Sequence, residues 1–377
     1  MKFTVQKSVL SNVTSIVQRA ASSKDALPVL SCLSITAGSQ GLSMIATDME
    51  IGMKMSVSDV AVKESGIILV NARHFNDLIR YLPETELSII LDREKNKLKV
   101  QYGRSSTYLN VYDDEEFPEL PLGKIEKLFT VPQKDLKEAI KKTAFAAAAN
   151  HFKVLFTGIL FDFEGEVLRI VASDTHRLAL IEKSGIEKTD VMKRFVLPAR
   201  NINELVRILE DEDQVITVGM AENNVVFYSE EQGFFFMSRV IEGEYPNYNN
   251  VIPKNFTTQM IVDSNLIVES LERASLMPAD PKSIKHVQLD LQGNELTVNA
   301  FSEKMGELKE VIDVETDGGK ADLRVIFNTR YLLDIVKILQ AETEKITIHL
   351  TGPTSPAVIK NPADEHYTYV IVPLRTG

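Results

Sequence analysis

The chain has a single cysteine, Cys32, among 377 residues. That excludes an internal disulfide and fits a reducing compartment, with Cys32 read as a small buried hydrophobe and not a reactive thiol. No stretch reads G-x-x-x-x-G-K-[ST] or G-x-G-x-x-G, so no loop for cradling phosphates is expected. A G-x-S-x-G elbow and an H-E-x-x-H pair are missing as well. The six histidines, His74, His151, His176, His286, His349 and His366, stand without ligand spacing, so neither a metal nor a cofactor is expected. The opening "MKFTVQKSVL" lacks an apolar signal-peptide core. The charge-free run 26–47 is long enough to suggest a membrane span, but Pro28, Gly38, Gly41 and many polar residues interrupt it. Paired strands and turns fit it better. The expectation is a soluble cytoplasmic protein without a membrane partner.

What is present is ordinary for a globular protein: 44% hydrophobic and 25% charged residues, enough apolar surface to offset the entropy of ordering. The formal net charge of −11 argues against general affinity for phosphates unless the basic residues gather on one face. The length suits two to four domains.

A threefold repeat organises the chain. Three segments open alike: "KFTVQKSVLSNVTSIVQRAAS" from Lys2, "LFTVPQKDLKEAIKKTAFAAA" from Leu128 and "NFTTQMIVDSNLIVESLERAS" from Asn255. Each predicts a short strand and then an amphipathic helix; Leu10, Val13, Val17 and Ala20 share one apolar face. A second shared unit follows in each repeat: "GIILVNARHFNDLIRYLP", "RFVLPARNINELVRILE" and "LRVIFNTRYLLDIVKILQ". The turns "NAR", "PAR" and "NTR" put a polar residue or proline at each helix start, as capping chemistry prefers. The expected fold is α+β, in three doubled strand-helix-strands modules at 1–124, 125–253 and 254–377. Neither boundary is a flexible Gly/Ser linker.

One stretch, "ASDTHRLAL", brings Ser173, Asp174, His176 and Arg177 together. A hydrolase using Ser173, Asp174 and His176 is one reading, but a triad needs side chains converging from separated segments. The first module's "ATDMEIGM" aligns with this stretch and lacks both His and Arg. The shared Ser/Thr-Asp pair therefore reads as a turn in which the carboxylate accepts backbone N–H groups. His176 and Arg177 are an addition to the second module.

The motifs "LPVLSCLSI", "ATDMEIGM", "EEFPELP", "ASDTHRLAL", "LPARNINEL", "EGEYPNY" and "YVIVPLR", in this order from end to end, resemble the β subunit family of bacterial DNA polymerase III, the sliding clamps. The resemblance implies a non-catalytic processivity factor, a head-to-tail homodimeric ring with helices inside and sheets outside, encircling duplex DNA without reading its sequence. It also implies a nucleoid-associated protein in the cytoplasm. Partners would be the polymerase III α subunit, the clamp loader, and other polymerases, mismatch-repair proteins or ligases carrying a short motif rich in Gln, Leu and Phe. A protein scaffold of the same fold without a DNA role is the remaining alternative.

The basic residues expected to face DNA are Lys24, Arg73, Arg80, Lys137, Lys141, Lys142, Arg200, Arg207, Arg330 and Lys337; Arg73, Arg200 and Arg330 occupy the same place in each module. They would touch phosphates and not bases. By resemblance, the partner peptide would meet Phe156, Ser173, Thr175, His176, Arg177 and Leu178. Pro246, Asn250 and Val251 would add to the walls. The third module would contribute Asn328, Tyr331, Thr354, Pro356, Val370, Ile371, Val372, Pro373, Leu374 and Arg375. The ring-closing interface is expected at Phe75, Ile79 and Leu82 against Leu266, Arg273 and Leu276, with internal core as the alternative for the apolar ones.

Overall fold

The computed structural model describes residues 1–22, 27–112, 117–187, 189–277, 284–317 and 322–375. Lys24 lies outside them. Six α-helices occur among the described residues: α1 (Lys7–Val17), α2 (Ala72–Tyr81), α3 (Gln133–Ala144), α4 (Ala199–Val206), α5 (Ser264–Ser275) and α6 (Thr329–Gln340). Each leaves directly from the end of a strand, and for three of them that last strand residue is the cap. Asn71 Oδ1 accepts the His74 N–H at 3.0 Å, Asp263 Oδ1 accepts those of Asn265 and Leu266 at 2.9 and 3.0 Å, and Asn328 Oδ1 accepts that of Arg330 at 3.0 Å. These bonds satisfy donors that the helix itself leaves orphaned.

Two compact units result, one made of Met1–Lys137, Glu187–Val191 and Arg200–Val240, the other of Glu138–Ile186, Met192–Ala199 and Ile241–Gly377. The first unit holds a five-stranded sheet in the order Ala61–Glu64, Lys2–Gln6, Glu86–Asp92, Lys97–Tyr102, Ser105–Asn110. Its eight-stranded sheet runs Glu126–Pro132, Val215–Ala221, Asn224–Ser229, Phe234–Arg239, Ile51–Val57, Gly41–Thr47, Cys32–Gly38, Gly66–Asn71. In the second unit, which holds the first of these strands from Met192 onward, a nine-stranded sheet runs Thr189–Pro198, Gly158–Gly165, Val167–Ser173, Arg177–Lys183, Tyr367–Ile371, Ala357–Lys360, Lys345–Leu350, Thr258–Asp263, Glu315–Thr316. A four-stranded sheet, Gly306–Asp313, Glu295–Ser302, His286–Gln292, Asp322–Asn328, completes it.

Each large sheet therefore joins strands from two successive repeats. Phe234–Arg239 pairs antiparallel with Ile51–Val57, from Phe234 opposite Met55 to Ser238 opposite Ile51. Tyr367–Ile371 pairs in the same sense with Arg177–Lys183, from Ile371 opposite Arg177 to Tyr367 opposite Ile181. The middle repeat gives half of its strands to each sheet, so compactness divides the chain within that repeat and not between repeats.

The helix faces settle two sequence expectations against the notion of a free surface. Phe75 and Ile79, four residues apart on α2, are both 0% exposed, and Leu82 just beyond is 8% exposed. Helix α1 adjoins α2, and its Leu10, Val13 and Val17 are buried as well, each large side chain contributing about 1.5–3 kcal/mol by its burial. Phe75, Ile79 and Leu82 are thus part of the core of the first unit. Leu266 and Leu276, by contrast, are exposed, and Arg273 spans the gap from α5 to Glu310 with two bonds of 2.6 and 2.8 Å.

Lys142 is the other correction. Lys141 beside it is exposed, but a helix turns about 100° per residue, and Lys142 points inward, its side chain only 6% exposed. Its ammonium lies 2.9 Å from Glu138, 2.8 Å from Glu342 and 3.7 Å from Asp364, and 5.4 Å from the centre of the Tyr367 ring. It is a buried clasp, unavailable to DNA. Glu138 also receives Lys183 at 2.7 Å.

Candidate binding cleft

The stretch "ASDTHRLAL" forms the end of strand Val167–Ser173, a turn, and the start of strand Arg177–Lys183. Ser173 Oγ donates to the Arg177 carbonyl at 2.7 Å and accepts the Thr175 N–H at 3.2 Å. Asp174 Oδ1 accepts the N–H groups of His176 and Arg177, each at 3.0 Å. The first repeat builds the same turn: Thr47 Oγ1 donates to the Ile51 carbonyl at 2.7 Å, and Asp48 Oδ1 accepts from Glu50 and Ile51, each at 2.9 Å. Thr175 and Met49 take the same left-handed backbone, both at φ +75°. With Ser173 and Asp174 consumed by the backbone and the His176 side chain exposed, no nucleophile–base–orienter arrangement exists, and the hydrolase reading falls.

What differs between the two turns is the residue after them. Arg177 is buried and fully engaged. Its Nε donates to Asp174 at 3.0 Å, one terminal nitrogen to Asp334 at 2.7 Å, and the other to the Phe145 carbonyl at 2.6 Å. Its guanidinium lies 4.1 Å from the Tyr331 ring centre and 5.4 Å from that of Phe145. Burial acts to lower its pKa, and the surrounding tyrosine and carboxylates reverse that and raise it. Arg177 thus fixes α6 and the loop after α3 around the turn.

Above this support opens a cleft of about 530 Å³ within the second unit. Its floor is apolar: Leu178 and Val370 from adjacent strands join Leu160, Val171, Tyr245 and Tyr248 in one buried cluster. Phe156, on the short helical turn Val154–Thr157, forms one wall, and Pro356 and Val372 another. That turn lies close because Gly158 follows it; a Cβ there would stand 2.5 Å from Val196 Cγ1. Ser173, Thr175, Arg177, Pro246, Asn250 and Val251 also line the cleft. Few polar groups interrupt this lining, so the cleft suits apolar side chains of an extended peptide with a few hydrogen bonds for orientation.

The remaining expected residues are not among those lining the cleft. Ile371 is 0% exposed, on the opposite strand face from Val370 and Val372, because successive side chains alternate. Pro373 is buried, Arg375 is exposed, and the Leu374 N–H donates to the Ile326 carbonyl at 2.8 Å. Asn328 is spent as the cap of α6, and Tyr331 carries Arg177. Thr354 is exposed, and His176 reaches the tail through its backbone, its carbonyl accepting the Val372 N–H at 2.9 Å.

Sequence reasoning missed Tyr245, Asn247, Tyr248, Ile252 and Pro253, which line the cleft from the segment "EYPNYNNVIP". Tyr248 donates to Asp162 at 2.9 Å, and burial together with that carboxylate pushes its hydroxyl up to about 12. The aromatic-Pro-x-aromatic spacing was the available signal.

Of the expected DNA-facing residues, Arg73 and Arg80 share Asp77, Arg207 meets Glu204 at 2.9 Å, and Lys337 meets Glu272 at 2.6 Å. Half-buried Lys137 pairs with Asp211 at 2.9 Å. Lys141, Arg200 and Arg330 are exposed, and no ion pair holds them among the described residues. Arg73, Arg200 and Arg330 are each the second residue of their helix. No described helix is long and apolar enough to cross a membrane.

The families of known proteins agree with this architecture. Residues 1–121, 130–247 and 249–375 match the N-terminal, central and C-terminal domains of the DNA polymerase III beta subunit. The chain is 31% identical to the beta sliding clamp of Escherichia coli (strain K12) and 30% identical to that of Halalkalibacterium halodurans, covering 100% of both chains in each case. Among solved structures, the sliding clamp of Bacillus subtilis superposes with a TM-score of 0.93 at 28% identity. That of Pseudomonas aeruginosa bound to griselimycin gives 0.92 at 27%, each over 100% of both chains. Such clamps are non-catalytic processivity subunits, in keeping with a turn that spends its polar side chains on backbone. Three matched domains, full-length relatives and a shared fold place this chain in the DNA polymerase III beta subunit family, the beta sliding clamps.

Proposed function

We propose that two copies of the chain close head to tail around duplex DNA, and that the cleft of Phe156, Leu178, Tyr245 and Val370 tethers replication and repair proteins by a short peptide motif. The observation that carries this is a pairing rule. At both junctions inside the chain, the last strand of a three-strand run (Phe234–Arg239, Tyr367–Ile371) pairs with the corresponding strand of the preceding repeat (Ile51–Val57, Arg177–Lys183). The same rule has one strand left over at each end of the series, Ser105–Asn110 and Gly306–Asp313, which are the edges of their sheets. Both edges are largely exposed and carry apolar side chains to solvent, Tyr108 at 42% and Val311 at 56%. An exposed apolar edge is a hazard unless something pairs with it, and a second copy satisfies both edges at once.

These edges, with Leu266, Leu276 and the Arg273–Glu310 pair beside one of them, replace the α2 residues as the proposed interface. Lys141, Arg200 and Arg330, together with Arg73, would meet phosphates without reading bases. The proposed partners are the polymerase III α subunit, the clamp loader, and other polymerases, mismatch-repair proteins and ligases carrying the motif; the setting is the cytoplasm, at the nucleoid. The chain, supplied with clamp loader and ATP, is expected to stay on nicked circular DNA and to leave after linearisation. Equal loss from both forms would overturn the proposal.

A further inference from the structure

The cleft does not end at Phe156. That ring stands edge-on to Tyr245, centroids 6.0 Å apart, on its inner side, and edge-on to His151 at 5.0 Å on its outer side. His151 in turn stacks on Phe152 at 4.5 Å. Its ring is pinned, since Nδ1 accepts the Lys153 N–H at 3.0 Å. The row thus leads from the buried floor (Tyr245, 5% exposed) to Phe152, which is 85% exposed. Val154 beside it is 58% exposed, and Lys153 between them is also exposed.

A largely solvated phenylalanine stacked on a pinned imidazole is a preformed apolar platform, with little rotamer entropy left to lose on contact. We infer that the His151–Phe152 platform is an extension of the docking cleft. It receives an apolar side chain of the partner peptide that lies outside the motif seated against Leu178 and Val370. Lys153 at its edge sets the accompanying chemistry: a peptide whose apolar residue neighbours a carboxylate fits, and one bearing a cation there is repelled. The inference rests on the cleft binding a peptide, as proposed above.

The test uses fluorescein-labelled peptides: a core of Gln, Leu and Phe residues, and the same core extended at either end by a Leu-Asp pair behind a Gly spacer. Binding to the full chain and to its Phe152→Ala variant is followed by fluorescence polarisation, with sedimentation of both proteins alongside. The platform adds an aromatic contact, so one extension is expected to tighten binding about 3- to 10-fold over the core. That ratio should fall to about 1 in Phe152→Ala, with both proteins sedimenting alike. A ratio unchanged by the substitution, or no gain from either extension while the core binds, overturns the inference. Loss of self-association in the variant overturns it too, assigning the platform to a second copy. A core peptide that fails to bind either protein overturns the reading of the cleft itself, and this inference with it.

Discussion

Replacing Lys142 by Met keeps the stem and most of the volume but removes the ammonium from among Glu138, Glu342 and Asp364. Breaking a buried ion pair from one side costs about 3–5 kcal/mol. The surroundings put this case at the lower end. Glu138 keeps Lys183 at 2.7 Å, while Glu342 and Asp364 are 29% and 25% exposed and can regain water. Because a chain of several modules does not unfold in one step, the loss should be read locally, by amide hydrogen exchange in α3 and in Tyr367–Ile371, where Tyr367 donates to the Lys142 carbonyl at 2.7 Å. About 3 kcal/mol is a roughly hundredfold rise in local opening. Adding Glu342→Gln and Asp364→Asn should recover most of it, since no uncompensated charge then remains. The salt dependence of DNA binding should not change. Unchanged protection together with a salt slope reduced by about one would refute the buried clasp and return Lys142 to the DNA-facing set.

The clasp also has a pH signature. Burial opposes ionisation of Glu138, but hydrogen bonds from Lys183 and Lys142 outweigh it and hold the carboxyl below its ordinary 4.5. Its contribution is therefore complete above that value and is lost as the pH falls through the lowered one. Burial likewise works against Lys142, and Glu342 and Glu138 raise it above 10.5. Its contribution is complete below 10.5 and is lost as the pH rises through the raised value. Protection of the Tyr367 strand should thus be flat between these limits.

Three further outcomes are expected. Arg177→Met strands Asp174, 8% exposed, and the Phe145 carbonyl; it should cost about 3–5 kcal/mol locally, seen as lost exchange protection around 173–183 and weakened peptide binding, and Arg177→Lys should recover less than half. Val311→Lys places a charge on the proposed seam and should yield single 42.2 kDa chains in sedimentation; a dimer of unchanged affinity would count against the edge-pairing rule. Reversing Arg73, Arg200 and Arg330 together to Glu should sharply lower the amount loaded onto circular DNA while peptide affinity stays the same, whereas a scaffold without a DNA role would show no change.

The repeat, the strand-to-helix turns and the Asn caps were legible because they rest on local periodicity and on chemistry confined to a few neighbouring residues. Asn71 and Asn328 announce their helices in any context. Facing was less legible. Lys141 and Lys142 are equivalent in a composition argument and opposite on a helix, and Val370 to Arg375 read as a run although a strand offers only alternate residues to one side. Phe75 and Ile79 marked an apolar face correctly, but nothing local says whether such a face meets α1 or another copy. Tyr245 and Tyr248 escaped because their segment is irregular, with no period to place them. The sharing of each large sheet between two repeats is set by pairing across long stretches of sequence, and left no mark in any one motif.

The twin turns at Thr47–Ile51 and Ser173–Arg177 show how a duplicated part can diverge without being rebuilt. Their shape is written in the hydroxyl and the carboxylate that gather backbone groups. The two copies differ in the side chain that ends the turn, Ile51 in one and Arg177 in the other, and the arginine adds a bond of its own to the carboxylate, from Nε at 3.0 Å. In the second copy, on the same scaffolding, that arginine braces a cleft. One backbone device thus serves two different side chains, and what each turn supports is set by the residue it presents and not by its shape.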